Sequence, residues 1–240
     1  MGYLPGLYDI FQERWGQSQS CYIYSDPHFN DDELAGGIKG RPSAEEQVKR
    51  INAKCGRRDC LIILGDVGDA EYVRQLRAEY KILIMGNHDA GSTRYKRHRD
   101  TIVLSTYDFT QEEAIEEMER RYPGYQIKFE CMGNAGWVFS IDNKLFDEVY
   151  EGALIIGEKL ILSHEPVDGP WLFNVHGHNH TDRKRQNHLN VCSDVIGWEP
   201  VNFTQFLKSG FASKIQTIHR ETIDNATKRK TKRGGKKIGK

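Results

Sequence analysis

The chain has no net charge, no Cys-x-x-Cys pair and no apolar run longer than five residues. A membrane-spanning helix needs about 20 consecutive apolar residues, so no span is expected. Five cysteines, at 21, 55, 60, 131 and 192, cannot all pair with one another. Free thiols in a reducing compartment are expected, and a small disulfide scaffold is excluded. Prolines number only 7 and glycines 23, too few for a collagen-like or Pro/Gly-rich disordered body. The first twenty residues lack a basic start, an apolar stretch and a small-residue cleavage site, and position 6 is Gly where myristoylation wants Ser or Thr. A cytoplasmic protein without membrane attachment is the expectation.

What is present is enough for a large core. At 240 residues and 38% hydrophobic composition, the chain fits one large domain or two small ones. The zero net charge hides an asymmetry. Lys228 to Lys240 carries eight Lys and Arg and no acid, while the other 227 residues hold 26 basic against 34 acidic side chains. An acidic body of net charge −8 therefore ends in a tail of +8. Such a tail is expected to be disordered and solvated, with nucleic acid as one possible partner.

The chain divides into an N-terminal extension (1–20), a body (21–224) and the basic tail (225–240). In the extension, Leu7, Phe11 and Trp15 fall on one face of a short helix. From Cys21 a rhythm appears. Cys21 to Ser25 reads as a strand, Ser43-Ala-Glu-Glu46 as a capping box opening a helix to about Lys54, and Cys60 to Leu64 as a second strand. A helix over about Glu71–Tyr80 and a strand over Lys81–Met85 come next. Alternating β and α with near-continuous apolar strands predicts an α/β fold with helices covering the sheet. About Gly91 to Leu145 breaks the rhythm. This stretch opens with Arg94, Lys96, Arg97, His98 and Arg99, and a second capping box, Thr110-Gln-Glu-Glu113, starts a helix stopped by Pro123-Gly124. It reads as an inserted α+β segment. Short strands resume over 153–156, 159–163, 172–175 and 189–192.

The informative feature is the residue type at the end of each strand. Asp26 with His28, Asp66, Asn87 with His88, His164, and His178 with His180 each stand directly after an apolar run. In an open α/β sheet, ligands bind beyond the carboxyl ends of the strands. Seven donors, Asp26, His28, Asp66, Asn87, His164, His178 and His180, are too many for one metal ion and suit two sharing a carboxylate. Asp66, central with two oxygens, is the natural bridge. One ion would take Asp26, His28, Asp66 and His180, the other Asp66, Asn87, His164 and His178. Imidazole and carboxylate without thiolate favour manganese, iron, zinc, cobalt or nickel, manganese being the first choice. Two such ions with two Asp and a hydroxide leave a core of about +1, which attracts a phosphoryl group.

Asp26-Pro-His28, Gly65-Asp66-Val-Gly-Asp69, Gly86-Asn87-His88-Asp89, His164 and Gly177-His178-Asn-His180 together resemble the calcineurin-like metallophosphoesterase superfamily. Ser163-His-Glu-Pro166 and Val175 to His180 are similar to its small prokaryotic and phage members. The resemblance implies a four-layer α/β/β/α sandwich and two divalent ions. It implies hydrolysis of phosphomonoesters or phosphodiesters, including nucleotides, by a hydroxide bridging the ions. It also implies catalytic roles for His88, which would contact the phosphate and protonate the leaving oxygen, and for Asp89, which would orient His88. The Gly91–Leu145 insertion is longer than that group's usual connection. Pro27 stiffens the first ligand loop.

Other residues carry weaker signals. His176 is expected to be a hydrogen-bonded neighbour of the site and Asp69 a loop acid. Ser193 and Asp194 either line the site or form a turn. His98, His188 and His219 read as surface residues. Arg94 to Arg99 are either a clamp for a longer substrate or a solvated entrance, and Trp137 and Phe139 either stack on a base or pack. A nuclease or nucleic-acid phosphatase using the basic tail is the alternative function, and a non-catalytic scaffold ranks behind it because no ligand is missing.

Overall fold

The computed structural model describes residues 20–31, 37–38, 40–95, 97–133, 136–156, 160–169, 172–181, 183–210 and 225–228. The expected extension helix, His219 and most of the basic tail lie outside them.

The first half keeps the predicted alternation. Strand β1 is Cys21–Tyr24, helix α1 Ala44–Lys54, strand β2 Cys60–Ile63, helix α2 Glu71–Arg74 and strand β3 Tyr80–Ile84. Ser43 caps α1 by accepting the Glu46 N–H. Helix α2 is one turn, where the sequence suggested a longer helix to Tyr80. The reason is local: Asn52 on α1 donates to the Gln75 carbonyl and accepts the Arg77 N–H, and the Glu79 N–H goes to the Arg57 carbonyl. These partners replace the intrahelical bonds that a second turn would need.

The insertion supplies β4 (Arg99–Leu104), α3 (Gln111–Arg121), β5 (Gln126–Gly133) and β6 (Gly136–Asp142). Helix α3 carries the full capping box: the Glu113 N–H donates to Thr110, and the Glu113 carboxylate accepts the Thr110 N–H. Strands β4, β6 and β5 form their own antiparallel sheet. Ala114 and Met118 of α3 pack on Leu104, Phe139 and Ile141. This cluster is separate from the two cores of the body. Phe139 is fully buried, and Trp137 packs on Phe129 and donates its indole N–H to the Phe109 carbonyl. Both aromatics therefore pack. Arg97 and Arg99 close onto Asp142 and hold its carboxyl down at about 2.

The chain then lays down β7 (Glu148–Tyr150), β8 (Leu154–Ile156), β9 (Leu160–Leu162), β10 (Phe173–His176), β11 (His188–Asn190), β12 (Val201–Asn202) and helix α4 (Phe203–Lys208). Two sheets of the body result. The first has the order β12-β1-β2-β3-β7, the second β11-β10-β9-β8. Strands β1, β2, β3 and β7 are parallel, as are β9, β10 and β11, while β12 and β8 run antiparallel to their neighbours.

Side-chain alternation sorts the core. Cys21, Ile23, Cys60, Ile62, Leu64, Ile82 and Ile84 face the second sheet and meet Leu160, Leu162, Val175 and Val191. Their neighbours Tyr24, Leu61, Ile63 and Leu83 face Val48 and Ile51 of α1 and Val73 of α2. Both faces of the first sheet are covered, which is why its strands read as unbroken apolar runs. The described residues thus give helix, sheet and sheet layers. A fourth, helical layer on the outer side of the second sheet is not seen among them, and Ile155 on that side is 59% exposed. Helix α4 instead packs Phe203, Phe206 and Leu207 into the core between the sheets. Among the described residues, no helix is long and apolar enough to cross a membrane.

Ile62 is fully buried at the centre of the sandwich, opposite Ile23 and Ile82. Ile62→Ala should cost about 2–5 kcal/mol through lost transfer energy and a residual cavity. Urea unfolding checks this through a lower midpoint at unchanged slope.

Candidate metal centre

The parallel strands of both sheets bring their carboxyl ends to one rim. There the backbone crosses between strands. The Asp26 N–H donates to the Gly65 carbonyl, the His28 N–H to that of Asp66, and the Gly177 N–H to that of His164. The Ser193 N–H reaches the Ser25 carbonyl at 2.9 Å and joins the two sheets. Four of the seven predicted ligands, Asp26, His28, Asp66 and His178, hold a positive φ of 39–64°. Left-handed backbone costs non-glycine residues roughly 1–2 kcal/mol each, and such strain gathers where surrounding structure compels it. Gly177 shows how tight the rim is. A Cβ there would lie 1.8 Å from Ser25 Oγ and 2.2 Å from an Asp26 carboxylate oxygen.

The structure brings all seven predicted ligands together. Asp66 Oδ2 lies 3.3 Å from His164 Nε2 and 3.5 Å from His28 Nε2. Asp26 Oδ1 lies 3.7 Å from His180 Nε2 and 4.0 Å from His28 Nε2. Asn87 Oδ1, His164 Nε2 and His178 Nδ1 form a triangle with sides of 2.9, 3.1 and 3.2 Å. His164 Nδ1 sits 2.7 Å from the Leu64 carbonyl. It donates there, so in the neutral ring Nε2 carries the lone pair that faces the other ligand atoms. Acceptor atoms crowd together in this way when a cation is meant to sit among them. Bonds of about 2.1 Å at right angles would set neighbouring ligand atoms about 3.0 Å apart.

Two buried atoms make the same point. Asp26 Oδ1 and His28 Nε2 have no hydrogen-bond partner. Buried polar atoms without partners are rare and costly, and both of these face the cluster. The residues present therefore fit a metal. Among the described residues, three groups of donors converge within 4.8 Å: Asp26, His28 and Asp66; Asp66, His164 and His178; and Asp26, His180 and Cys192. The third differs in kind. Burial pushes the Cys192 thiol well above its ordinary range, and a metal ligand must be a thiolate. Cys192 lies 3.5 Å from His180 Nδ1, an atom held by Asp194 at 2.6 Å.

The electrostatics derive from the two aspartates. Burial opposes charge on His164, but the Asp66 hydrogen bond, with Asp26 and Asp66 charge, overrides it and raises the imidazole to about 9. Burial wins at His28 and lowers it despite the same carboxylates. Burial would raise Asp66, yet His164, the His88 N–H and His28 hold it below its usual value. The pocket favours positive charge at Asp66, and a divalent cation would satisfy the same atoms more fully.

His88 stands at the mouth. Its side chain is 62% exposed, and Nε2 is 4.0 Å from Asp66 Oδ2. Asp89 is buried, and its carboxylate accepts the N–H groups of Asp66 at 2.7 Å, Gly86 at 2.9 Å and Val67 at 3.2 Å. These bonds tie both oxygens to the Asp66 and Gly86 loops, and no contact of the carboxylate with the His88 ring is seen among the described residues. His176 is buried with Nδ1 on the Gly177 carbonyl, as a neighbour should be. His188 is not a free surface residue, for its ring packs on His176 and bonds Asp168. Arg94 donates to the Gly68 carbonyl beside the site. Both readings of Asp194 hold: it lies in the turn over 193–198, and its carboxylate meets the His180 ring. Arg41, its partner, carried no signal in the sequence, because the two are 153 residues apart.

A rim of imidazole, carboxylate and amide donors over parallel strands defines a metal-binding centre of the kind used for metal-assisted chemistry. Residues 21–229 match the family described as Calcineurin-like phosphoesterase, and the chain belongs to that family. It is thereby a hydrolase class protein acting on phosphoesters. No curated protein matches the chain. Among solved structures, a protein of unknown function from Aquifex aeolicus is similar at 19% identity and a TM-score of 0.47, covering 79% of this chain and 98% of its own.

Asp89→Asn would turn an amide NH₂ toward at least one backbone donor. It should cost about 1–3 kcal/mol and weaken metal binding together with stability. Unchanged melting and metal content in the variant would refute the bracing role.

Proposed function

We propose that this protein hydrolyses a phosphomonoester or phosphodiester with two divalent ions held on the rim. One ion would be held by Asp26, His28, Asp66 and His180, the other by Asp66, Asn87, His164 and His178. The observation that carries this reading is that Asp66 belongs to two donor clusters at once. The mixed imidazole and carboxylate donors suit manganese, iron, zinc, nickel or cobalt, and manganese is the ion proposed first. When bound, such ions neutralise phosphoryl charge and lower the pKa of water.

The chain's own side chains do the rest. Asp66 and Asp26, both buried, draw cationic charge to the rim. Asp89 and the Gly86 turn hold Asp66 in its strained conformation. His88, exposed at the mouth and 5.2 Å from the His28 ring, is placed to meet an incoming phosphoester and hand a proton to the leaving oxygen. The cysteines among the described residues are free, which agrees with a reducing, cytoplasmic setting. The nuclease alternative drew on Arg94–Arg99 and the tail. Two members of that cluster, Arg97 and Arg99, are occupied by Asp142, so the smaller substrates are favoured.

A hydrolysis panel with Mn²⁺ tests the substrate class: para-nitrophenyl phosphate, its bis ester, cyclic nucleotides, dinucleotides and single-stranded DNA. Turnover of the first four without DNA cleavage is expected. Asp66→Asn should reduce turnover to background and lower metal content. His88→Ala should retain its metal and lose about 10²–10⁴-fold in kcat. Parent-like turnover by the His88 variant would remove it from the proton-transfer role.

A further inference from the structure

Behind the rim lies an ion pair that the ligand set does not include. The side chains of Arg41 and Asp194 are 2% and 3% exposed. One guanidinium nitrogen of Arg41 donates to Asp194 Oδ2 at 2.5 Å. The other donates to the carbonyls of Asp26 at 3.0 Å and Pro27 at 2.6 Å. Asp194 Oδ2 also accepts from His180 Nδ1 at 2.6 Å, and Oδ1 accepts the Trp198 indole N–H at 3.1 Å. Each charge is therefore met by several hydrogen bonds, the condition under which a buried pair is tolerated. A pair of apolar side chains would fill the space at lower cost, so stability alone gives little reason for this one.

The geometry gives another reason. The loop from Asp26 to His28 has positive φ at both aspartate and histidine, and Pro27 between them has no N–H to anchor it. Arg41 binds two consecutive carbonyls of that loop. On its other side it reaches, through Asp194, the His180 ring. A planar fork of donors can span three acceptors in this way, and an ammonium group cannot match the geometry.

We propose that Arg41 and Asp194 are positioning residues that set the Asp26–Pro27 loop and the His180 ring as one unit for a divalent cation. Asp194 takes the Nδ1–H of His180, which leaves the Nε2 lone pair on the side of Asp26 Oδ1. Arg41 cancels the Asp194 charge, so the ring is oriented without further negative charge beside the site. The proposal rests on the metal-dependent reading of the rim. Carboxylates that hold a ligand histidine in this way typically contribute about 10–100-fold in metal affinity.

The test uses the full chain stripped of metal. Mn²⁺ titration by calorimetry is paired with ¹⁵N correlation of the His180 imidazole, which reports the tautomer. The parent should bind two ions and show the Nδ1–H tautomer. Asp194→Leu should weaken one ion by about 100-fold, leave the other within about threefold, and mix the tautomers. Asp194→Asn and Arg41→Met should weaken the same ion by about tenfold, and Arg41→Lys should restore part of that loss. Asp194→Asn and Arg41→Lys keep size and polarity, and they decide the matter if the Leu variant does not fold. Folded variants that bind both ions as the parent does, with an unchanged tautomer, would overturn the proposal. So would an equal loss of both ions that tracks a falling melting temperature, which is what a purely structural pair would give. A parent that binds no ion at all would instead sink the metal-dependent reading.

Discussion

A carboxylate buried at the end of a strand is unfavourable unless its surroundings supply positive charge or donors, and Asp66 is the point at which this chain meets that demand. Its N–H and carbonyl join it to Asp89 and His28, its Oδ1 accepts the His88 N–H, and its Oδ2 faces His28 and His164. His164 comes from the second sheet and the others from the first. The two sheets are thus packed through an apolar interior and meet at one polar corner. Moving either sheet by a fraction of a residue would separate these atoms. The interdigitated side chains of the sandwich core are what prevent that movement.

The corner is held by two sets of buried polar contacts. Asp89 gathers the amides of Asp66, Val67 and Gly86 from one side. Arg41 and Asp194 tie the Asp26–Pro27 carbonyls to His180 from the other. Between them the strained left-handed residues have few alternatives. This division explains why Asp26 Oδ1 and His28 Nε2 remain without partners while almost every neighbouring donor is satisfied. The unsatisfied atoms face the space where a cation would be bound, and the satisfied ones face the protein.

The stretch 99–142 builds a small unit of its own, while Tyr95 and Leu145 on either side of it pack into the body core. Its sheet and helix bury Leu104, Met118, Phe139 and Ile141 in a cluster of their own. The loop before it touches the site where Arg94 meets the Gly68 carbonyl. Charges that look concentrated in the sequence are partly neutralised locally, since Asp142 on β6 takes both Arg97 and Arg99.

Much of this was legible in the residues because the signals are local. An apolar run of four or five residues with Asp, Asn or His at its end marks a strand and its rim, and the capping boxes at Ser43 and Thr110 mark helix starts that the structure keeps. Strands β4, β5, β6, β7 and β12 were not located, since Arg99–Leu104 opens with charged and polar residues, β5 and β6 lie in a Gly-interrupted stretch, and the other two span three and two residues. The sequence by itself determined the β-α-β-α-β order of the first half and marked seven candidate donors at strand ends, because both depend on side-chain type and short-range period. Only the tertiary structure decided which oxygen faces which nitrogen, that Asp89 serves backbone amides, and that Arg41 meets Asp194. Those choices are contacts between residues far apart in the chain, and they exist only once packing has fixed the two sheets against each other.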